Sequence, residues 1–245
     1  MPHTSTNAKQ NPAVPAFSFL GALADMPRAE TLTHLDLSHV QYTDQDHLGM
    51  VMSYATLAPL AIICAYGTWL ASRRELSVIL MGVGQIFNEI INAVLKRAIS
   101  QARPTGFLGK GYGMPSSHAQ FMAFFVAYAV LHLYTYTHFR QNIWKHLLAV
   151  GLTLAGITVA YSRVYLGYHT SNQVLAGVAV GIILATLYFT FIRDVVRPSG
   201  FCRQVVTHPW AQYVYLRDPT ESDPYLLERE YQWHMAQLDA RLKRD

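Results

Sequence analysis

The chain has 245 residues, of which 51% are apolar or aromatic and 14% are charged, against about 25% charged in ordinary soluble domains. The net charge of +4 does not indicate a nucleic-acid binder, because the basic residues sit at the ends of apolar runs and form no single stripe. A soluble two-domain protein, a secreted disulfide scaffold and a disordered chain are excluded on the same grounds. Cys64 lies in an apolar run and Cys202 in a polar tail, a poor arrangement for pairing.

No Asp, Glu, Lys or Arg occurs from Leu48 to Ser72, from Ala119 to Phe139, or from Val164 to Ile192. A helix needs about 20 apolar residues to cross a bilayer core, so these runs read as membrane spans. In chain order, residues 1–46 form a polar segment without a cleavable signal pattern, and its apolar stretch Val14–Met26 reads as interfacial or loop. The first long apolar run then acts as its own membrane-targeting signal. Five spans are expected: Leu48–Leu70, kinked at Pro59; Leu76–Leu95; His118–Thr137; His146–Tyr161; and Asn172–Ile192. Residues 47–192 form the membrane domain of an all-α bundle, and 193–245 a polar tail. In that tail Asp223-Pro224-Tyr225-Leu226-Leu227-Glu228 reads as the start of a capped helix, with Leu227, Tyr231, Leu238 and Leu242 along one face.

Within the second span, Gln85, Asn88, Glu89 and Asn92 share one helical face that leads to Lys96. Polar groups facing lipid are costly, so this face looks into the bundle or a wet cavity. For Gln85 and Asn88, hydrogen bonding between helices is an equally good reading. Glu89 at that depth needs a cation or a proton, and is expected with Asn92 to support a basic residue from behind.

Three clusters fall at span ends on one side: Lys96 to Pro104, Pro115-Ser116-Ser117-His118, and Ser162 to His169 with Gln173 beyond. Lys96, Arg103 and Arg163 supply permanent cations, Ser116 and Ser117 hydroxyls, and His118 and His169 imidazoles. Arginine offers planar paired donors to phosphate oxygens and lysine a compact point charge. Ser116 and Ser117 suit a helix N-cap, whose free N–H groups face an anion. Arg97 and Lys110 read as residues that only snorkel to the headgroups.

These residues resemble the three-part signature of the type 2 phosphatidic acid phosphatase superfamily, Lys-x6-Arg-Pro, Pro-Ser-Gly-His and Ser-Arg-x5-His-x3-Asp. Lys96, Arg103 and Pro104 match the first part; Pro115, Ser116 and His118 the second; Ser162, Arg163 and His169 the third. Ser117 stands in place of the glycine and Gln173 in place of the aspartate. The strings Gly113 to Phe121, Tyr161 to Leu166, Tyr168-His169-Thr170 and Gln173-Val174-Leu175 resemble the dolichyldiphosphatase branch. A weaker similarity reaches Ser38-His39-Val40 and Leu216-Arg217-Asp218.

The resemblance implies a haloperoxidase-like helical core. It implies His169 as nucleophile on phosphorus, forming a phosphohistidine, and His118 as general acid and then base. Lys96, Arg103 and Arg163 hold the phosphate oxygens, Ser116 and Ser117 add donors, and no metal or other cofactor is needed. Gln173, one turn beyond His169, orients the ring without adding charge. A diphosphate substrate, whose leaving group is good, tolerates that neutral orienter. The implied substrate is a polyprenyl diphosphate in the bilayer, dolichyl diphosphate on the branch resemblance, converted to dolichyl phosphate and orthophosphate for protein N-glycosylation. Another lipid phosphate as substrate, or a silent scaffold or scramblase on the same fold, remain the alternatives. Arg73/Arg74, Arg140/Lys145 and Arg193/Arg197 flank the other side, which places that side in the cytoplasm and the site on the lumenal or external side. The resemblance implies the endoplasmic reticulum, with the site facing its lumen. The oligomeric state is not legible.

Overall fold

The computed structural model describes residues 32–35, 40–105, 111–139, 141–222 and 225–243. The stretch Val14–Met26, Ser38-His39, Lys110, Arg140 and Asp223-Pro224 lie outside them. Among the described residues, five helical segments are long and apolar enough to cross a membrane: His47–Arg73, Leu76–Ile99, Ser117–Tyr136, Ile143–Tyr165 and Ser171–Val196. The chain is an all-α, multi-pass membrane bundle.

The first span is two helices, α1 (His47–Ala55) and α2 (Ala58–Arg73), with Pro59 in the first turn of α2. The expected kink is therefore a break just before the proline, which lacks an N–H and starts a helix better than it continues one. Asp46 caps α1 through a bond from the Gly49 N–H at 2.9 Å. Helix α3 (Leu76–Ile99) turns a polar face inward: Gly84, Gln85, Asn88 and Asn92 are buried, while Val83, Ile86, Phe87, Ile90 and Val94 are exposed. This inverts the soluble pattern, because the surrounding solvent is lipid.

Helix α4 (Ser117–Tyr136) is the bundle axis, with Ala119, Gln120, Phe121, Met122, Phe124, Tyr128 and Leu133 buried. Helix α6 (Ser171–Phe191) packs closely on it. A Cβ on Gly177 would lie 2.7 Å from the Ser116 carbonyl oxygen, and one on Gly181 would lie 2.5 Å from that of Gln120. Two glycines four apart thus let the two backbones touch. The fourth span, α5 (Ile143–Tyr165), is longer than expected at both ends. Ser162 and Arg163 therefore belong to its last turn and not to a loop. Their burial in the bundle end explains why a charged residue does not terminate the span.

Before α1, β1 (Leu32–Leu35) pairs antiparallel with β2 (Val40–Thr43), an element the polar composition did not announce. After α6, a π-helical turn (Ile192–Val196) leads to three short helices, α7 (Phe201–Thr207), α8 (Pro209–Tyr213) and α9 (Pro219–Ser222), and then to α10 (Leu226–Leu242). The tail is tied to the bundle by a buried Arg197–Asp218 ion pair at 3.0 Å. It is also held by the Leu76 N–H donating to the Arg217 carbonyl and the Arg217 N–H donating to the Arg74 carbonyl, both at 2.9 Å. Helix α10 starts within the expected stretch, with Tyr225 as its N-cap and no side-chain cap bond. Tyr231, Leu238 and Leu242, expected on one face, are exposed. Neither Cys64 nor Cys202 is in a disulfide.

Candidate active site

The ends of α3, α4, α5 and α6 meet at one end of the bundle, joined through the segment after α3. The Gly113 N–H donates to the Gln101 carbonyl at 2.7 Å and the Ser116 N–H to the Gln173 carbonyl at 3.0 Å. Thr105 Oγ1 donates to the Gly167 carbonyl at 3.0 Å. Gly113 is needed for this closure, because a Cβ there would sit 2.7–2.9 Å from the Gln173 amide. The three sequence clusters thus come together in space.

Lys96 Nζ donates to Ser117 Oγ. Arg163 is 4% exposed, and its guanidinium carbon lies 4.2 Å from the centre of the Tyr168 ring. Arg163 Nε and Nη1, Arg103 Nε and Ser116 Oγ are buried without a hydrogen-bond partner among the described residues. Unpartnered charged donors are costly to bury. A ligand with several anionic oxygens relieves that cost, and phosphate fits the donor set.

Helix α5 ends in a glycine cap that returns the chain over its own last turn. Gly167 takes φ +72°; the Gly167 N–H donates to the Val164 carbonyl at 3.0 Å, and the Tyr168 and His169 N–H groups to that of Arg163 at 3.1 Å. Glycine is the natural residue for this left-handed position. The reversal lays Tyr168 on Arg163 and delivers His169 into the site, 3% exposed.

Gln173 is 1% exposed and holds His169 by a bond between Oε1 and the ring Nδ1 at 3.2 Å. Its amide orientation follows from its other partners. Oε1 also accepts the Thr170 N–H at 3.3 Å, and Nε2 donates to the Ala102 carbonyl at 2.8 Å. An oxygen facing Nδ1 requires the ring proton on Nδ1, which leaves the lone pair on Nε2. Burial first, then the charges of Arg103 and Arg163, push the His169 pKa down to about 4, against a smaller opposite effect of the Gln173 bond. The ring is thus a free base through the neutral range. His118, in the first turn of α4, lies within electrostatic reach of His169, Arg163, Lys96 and Arg103.

Some expected residues lie elsewhere. Asn92 Nδ2 donates to Gln120 Oε1 at 2.7 Å. Gln120 Nε2 in turn donates to the Asn88 carbonyl and Oδ1 at 3.0 and 2.9 Å. Gln85 Nε2 reaches the Phe121 carbonyl at 3.4 Å. Gln85, Asn88 and Asn92 therefore join α3 to α4. Glu89 is half-buried, and its Oε1 makes no hydrogen bond among the described residues. Lys96 uses Ser117 as its hydrogen-bond partner. Ser116 is the N-cap of α4 but makes no side-chain cap bond; its hydroxyl is one of the orphaned donors. Arg97 is exposed.

Two residues fell within the resembling strings but were given no role there. Gln120 is the fully buried partner of the α3 polar face; beyond the string, its signal is an amide in an otherwise uncharged run. Tyr168, besides covering Arg163, accepts the Gln41 N–H at 3.0 Å and packs with Leu166 against Val40, Tyr42 and Met52. The short sheet is thereby fastened over the site. Its signal is an aromatic residue beside the motif histidine.

Residues 77–197 match the family model described as the PAP2 superfamily. Dolichyldiphosphatase 1 of Homo sapiens is 37% identical over 205 residues, covering 80% of this chain and 85% of that protein. Dolichyldiphosphatase of Saccharomyces cerevisiae is 32% identical over 214 residues, covering 84% and 89%. Among solved structures, the transmembrane PAP2-type phosphatidylglycerolphosphate phosphatase from Bacillus subtilis aligns with a TM-score of 0.52 at 25% identity, over 62% of this chain and 79% of that one. The chain belongs to the PAP2 superfamily and, within it, to the dolichyldiphosphatase family. It is a membrane hydrolase.

Proposed function

We propose that this protein hydrolyses dolichyl diphosphate to dolichyl phosphate and orthophosphate through a phosphohistidine. The observation that carries this reading is the buried His169 ring, its lone pair placed on Nε2 by Gln173, in the field of Arg103 and Arg163, which carry N–H donors without a partner among the described residues. In the first step Nε2 attacks the terminal phosphorus and the bridging P–O bond breaks. His118 gives its proton to the departing dolichyl phosphate oxygen. In the second step a water, losing a proton to His118, attacks the phosphohistidine and releases orthophosphate. Lys96, Arg103, Arg163 and the Ser116 and Ser117 groups hold the oxygens on which charge accumulates. Glu89, two turns before Lys96 on α3, would lower the cost of burying its charge.

The site lies at a bundle end, where a headgroup reaches water while its chain stays in lipid. The opposite end carries Arg73, Arg74, Arg193 and Arg197, which supports a cytoplasmic assignment for that end. The active site then faces the lumen of the endoplasmic reticulum, where its product re-enters glycan-donor synthesis.

The Gln173→Asp variant tests the match between orienter and leaving group. A carboxylate on Nδ1 stabilises the imidazolium and raises the His169 pKa from about 4. The ring then loses its lone pair at a higher pH, so the acid limb of kcat/KM moves up in pH. Because the nucleophile becomes more basic, the variant should hydrolyse lipid phosphomonoesters about tenfold better relative to diphosphates. An unchanged acid limb together with an unchanged substrate ratio contradicts the role given to Gln173.

A further inference from the structure

At the other end of the bundle lies a second cavity, of about 630 Å³, walled by α2, α3, α4, α5 and the tail. It is separate from the phosphate site: His132, in its wall, stands about four turns, or about 21 Å, along α4 from His118. The volume is in the range of small-molecule sites, roughly 300–1,000 Å³. The wall is mostly aliphatic and aromatic, with Ile62, Met81, Phe125 and Leu152 among its members. Polar residues, among them Ser77, Thr137, His138 and Thr220, interrupt it, and two polar atoms of the wall stand out. Tyr66 Oη and His132 Nε2 are buried and have no hydrogen-bond partner among the described residues.

The charge at the mouth narrows the ligand further. Arg73, which also lines the cavity, spends Nε on Glu75 at 3.2 Å and Nη1 and Nη2 on Glu230 at 2.9 Å each. Its guanidinium is neutralised, so among the described wall residues no free lysine or arginine meets a phosphate or carboxylate headgroup. A phenol and an imidazole are instead matched by a hydroxyl, which accepts from the Tyr66 O–H and donates to a lone pair on His132 Nε2. Leaving such atoms unpaired is the costly alternative.

We propose that this cavity binds a neutral long-chain lipid alcohol, its chain among the apolar walls and its hydroxyl on Tyr66 and His132. Pro219, Thr220 and Leu226 of the tail form part of the same wall, and the Arg73–Glu230 pair holds α10 beside it. An occupant therefore also braces the docked tail.

The test uses the full-length protein in lipid nanodiscs and three photoreactive diazirine probes of equal chain length: an alcohol, a carboxylic acid and an alkane. The alcohol should label α2 and α4 peptides saturably and at least tenfold more than the other two. Tyr66→Phe combined with His132→Phe keeps the wall volume and should remove the preference for the alcohol. Ala129→Phe fills the cavity and should abolish labelling, while phosphate release stays unchanged, since Ala129 is about 16 Å along the helix from His118. Equal labelling by all three probes in the unaltered protein overturns the proposal. So does a preference for the alcohol that survives the double substitution, which is readable whether or not Ala129→Phe folds.

Discussion

Replacing His169 by alanine is expected to lower phosphate release from dolichyl diphosphate by about 10,000-fold or more, the scale on which loss of a nucleophile is felt. The reason is specific to this geometry. In the proposed mechanism Nε2 of His169 is the nucleophile; the surrounding bonds define its lone pair, and burial beside Arg103 and Arg163 keeps it unprotonated. With substrate labelled on its terminal phosphorus, acid quench would destroy a phosphohistidine, so an alkaline quench is the appropriate measurement. The unaltered protein should carry label at His169 and the alanine variant none. Label retained by the variant would move the nucleophile to another side chain.

His118→Ala is expected to cost about 100- to 10,000-fold in turnover, the usual range for a general acid or base, and to distribute that loss unevenly. The first step expels a phosphate monoester, which leaves readily with little proton assistance. The second step must deprotonate water, for which His118 is the only positioned base in the scheme. Hydrolysis of the phosphoenzyme should therefore become rate-limiting. Rapid-quench labelling should show the phosphoenzyme accumulating to a large fraction of sites in the variant and not in the unaltered protein. Slow turnover with no accumulation would place the His118 requirement in the first step alone.

The sequence made the membrane class and the chemical inventory legible for physical reasons. Long uncharged runs have few alternatives to a bilayer span, and the cations, hydroxyls and imidazoles clustered at span ends had to share a side. The partner of each group was not legible. Gln85, Asn88 and Asn92 declared an inward face by their spacing, but Gln120, which bonds to two of them, lies on another helix at no fixed offset. Arg163 looked like a loop residue because charge normally ends a span. Its burial beneath Tyr168 depends on the reversal at Gly167, which becomes visible only with the backbone. The glycines Gly177 and Gly181 were likewise hidden in an apolar run, since a close approach involves a second helix. The tail clasp and the short sheet arise from long-range bonds, such as Arg197 to Asp218 and Gln41 to Tyr168, that local composition does not encode.

The most direct test of the central claim is phosphate release from dolichyl diphosphate by the purified protein in detergent, with EDTA present and a panel of other lipid phosphates alongside. Release that persists in EDTA, with dolichyl diphosphate preferred over lipid monophosphates, is the predicted result. A folded protein that releases no phosphate from dolichyl diphosphate, or one that loses activity with EDTA and regains it with added metal, would contradict the account.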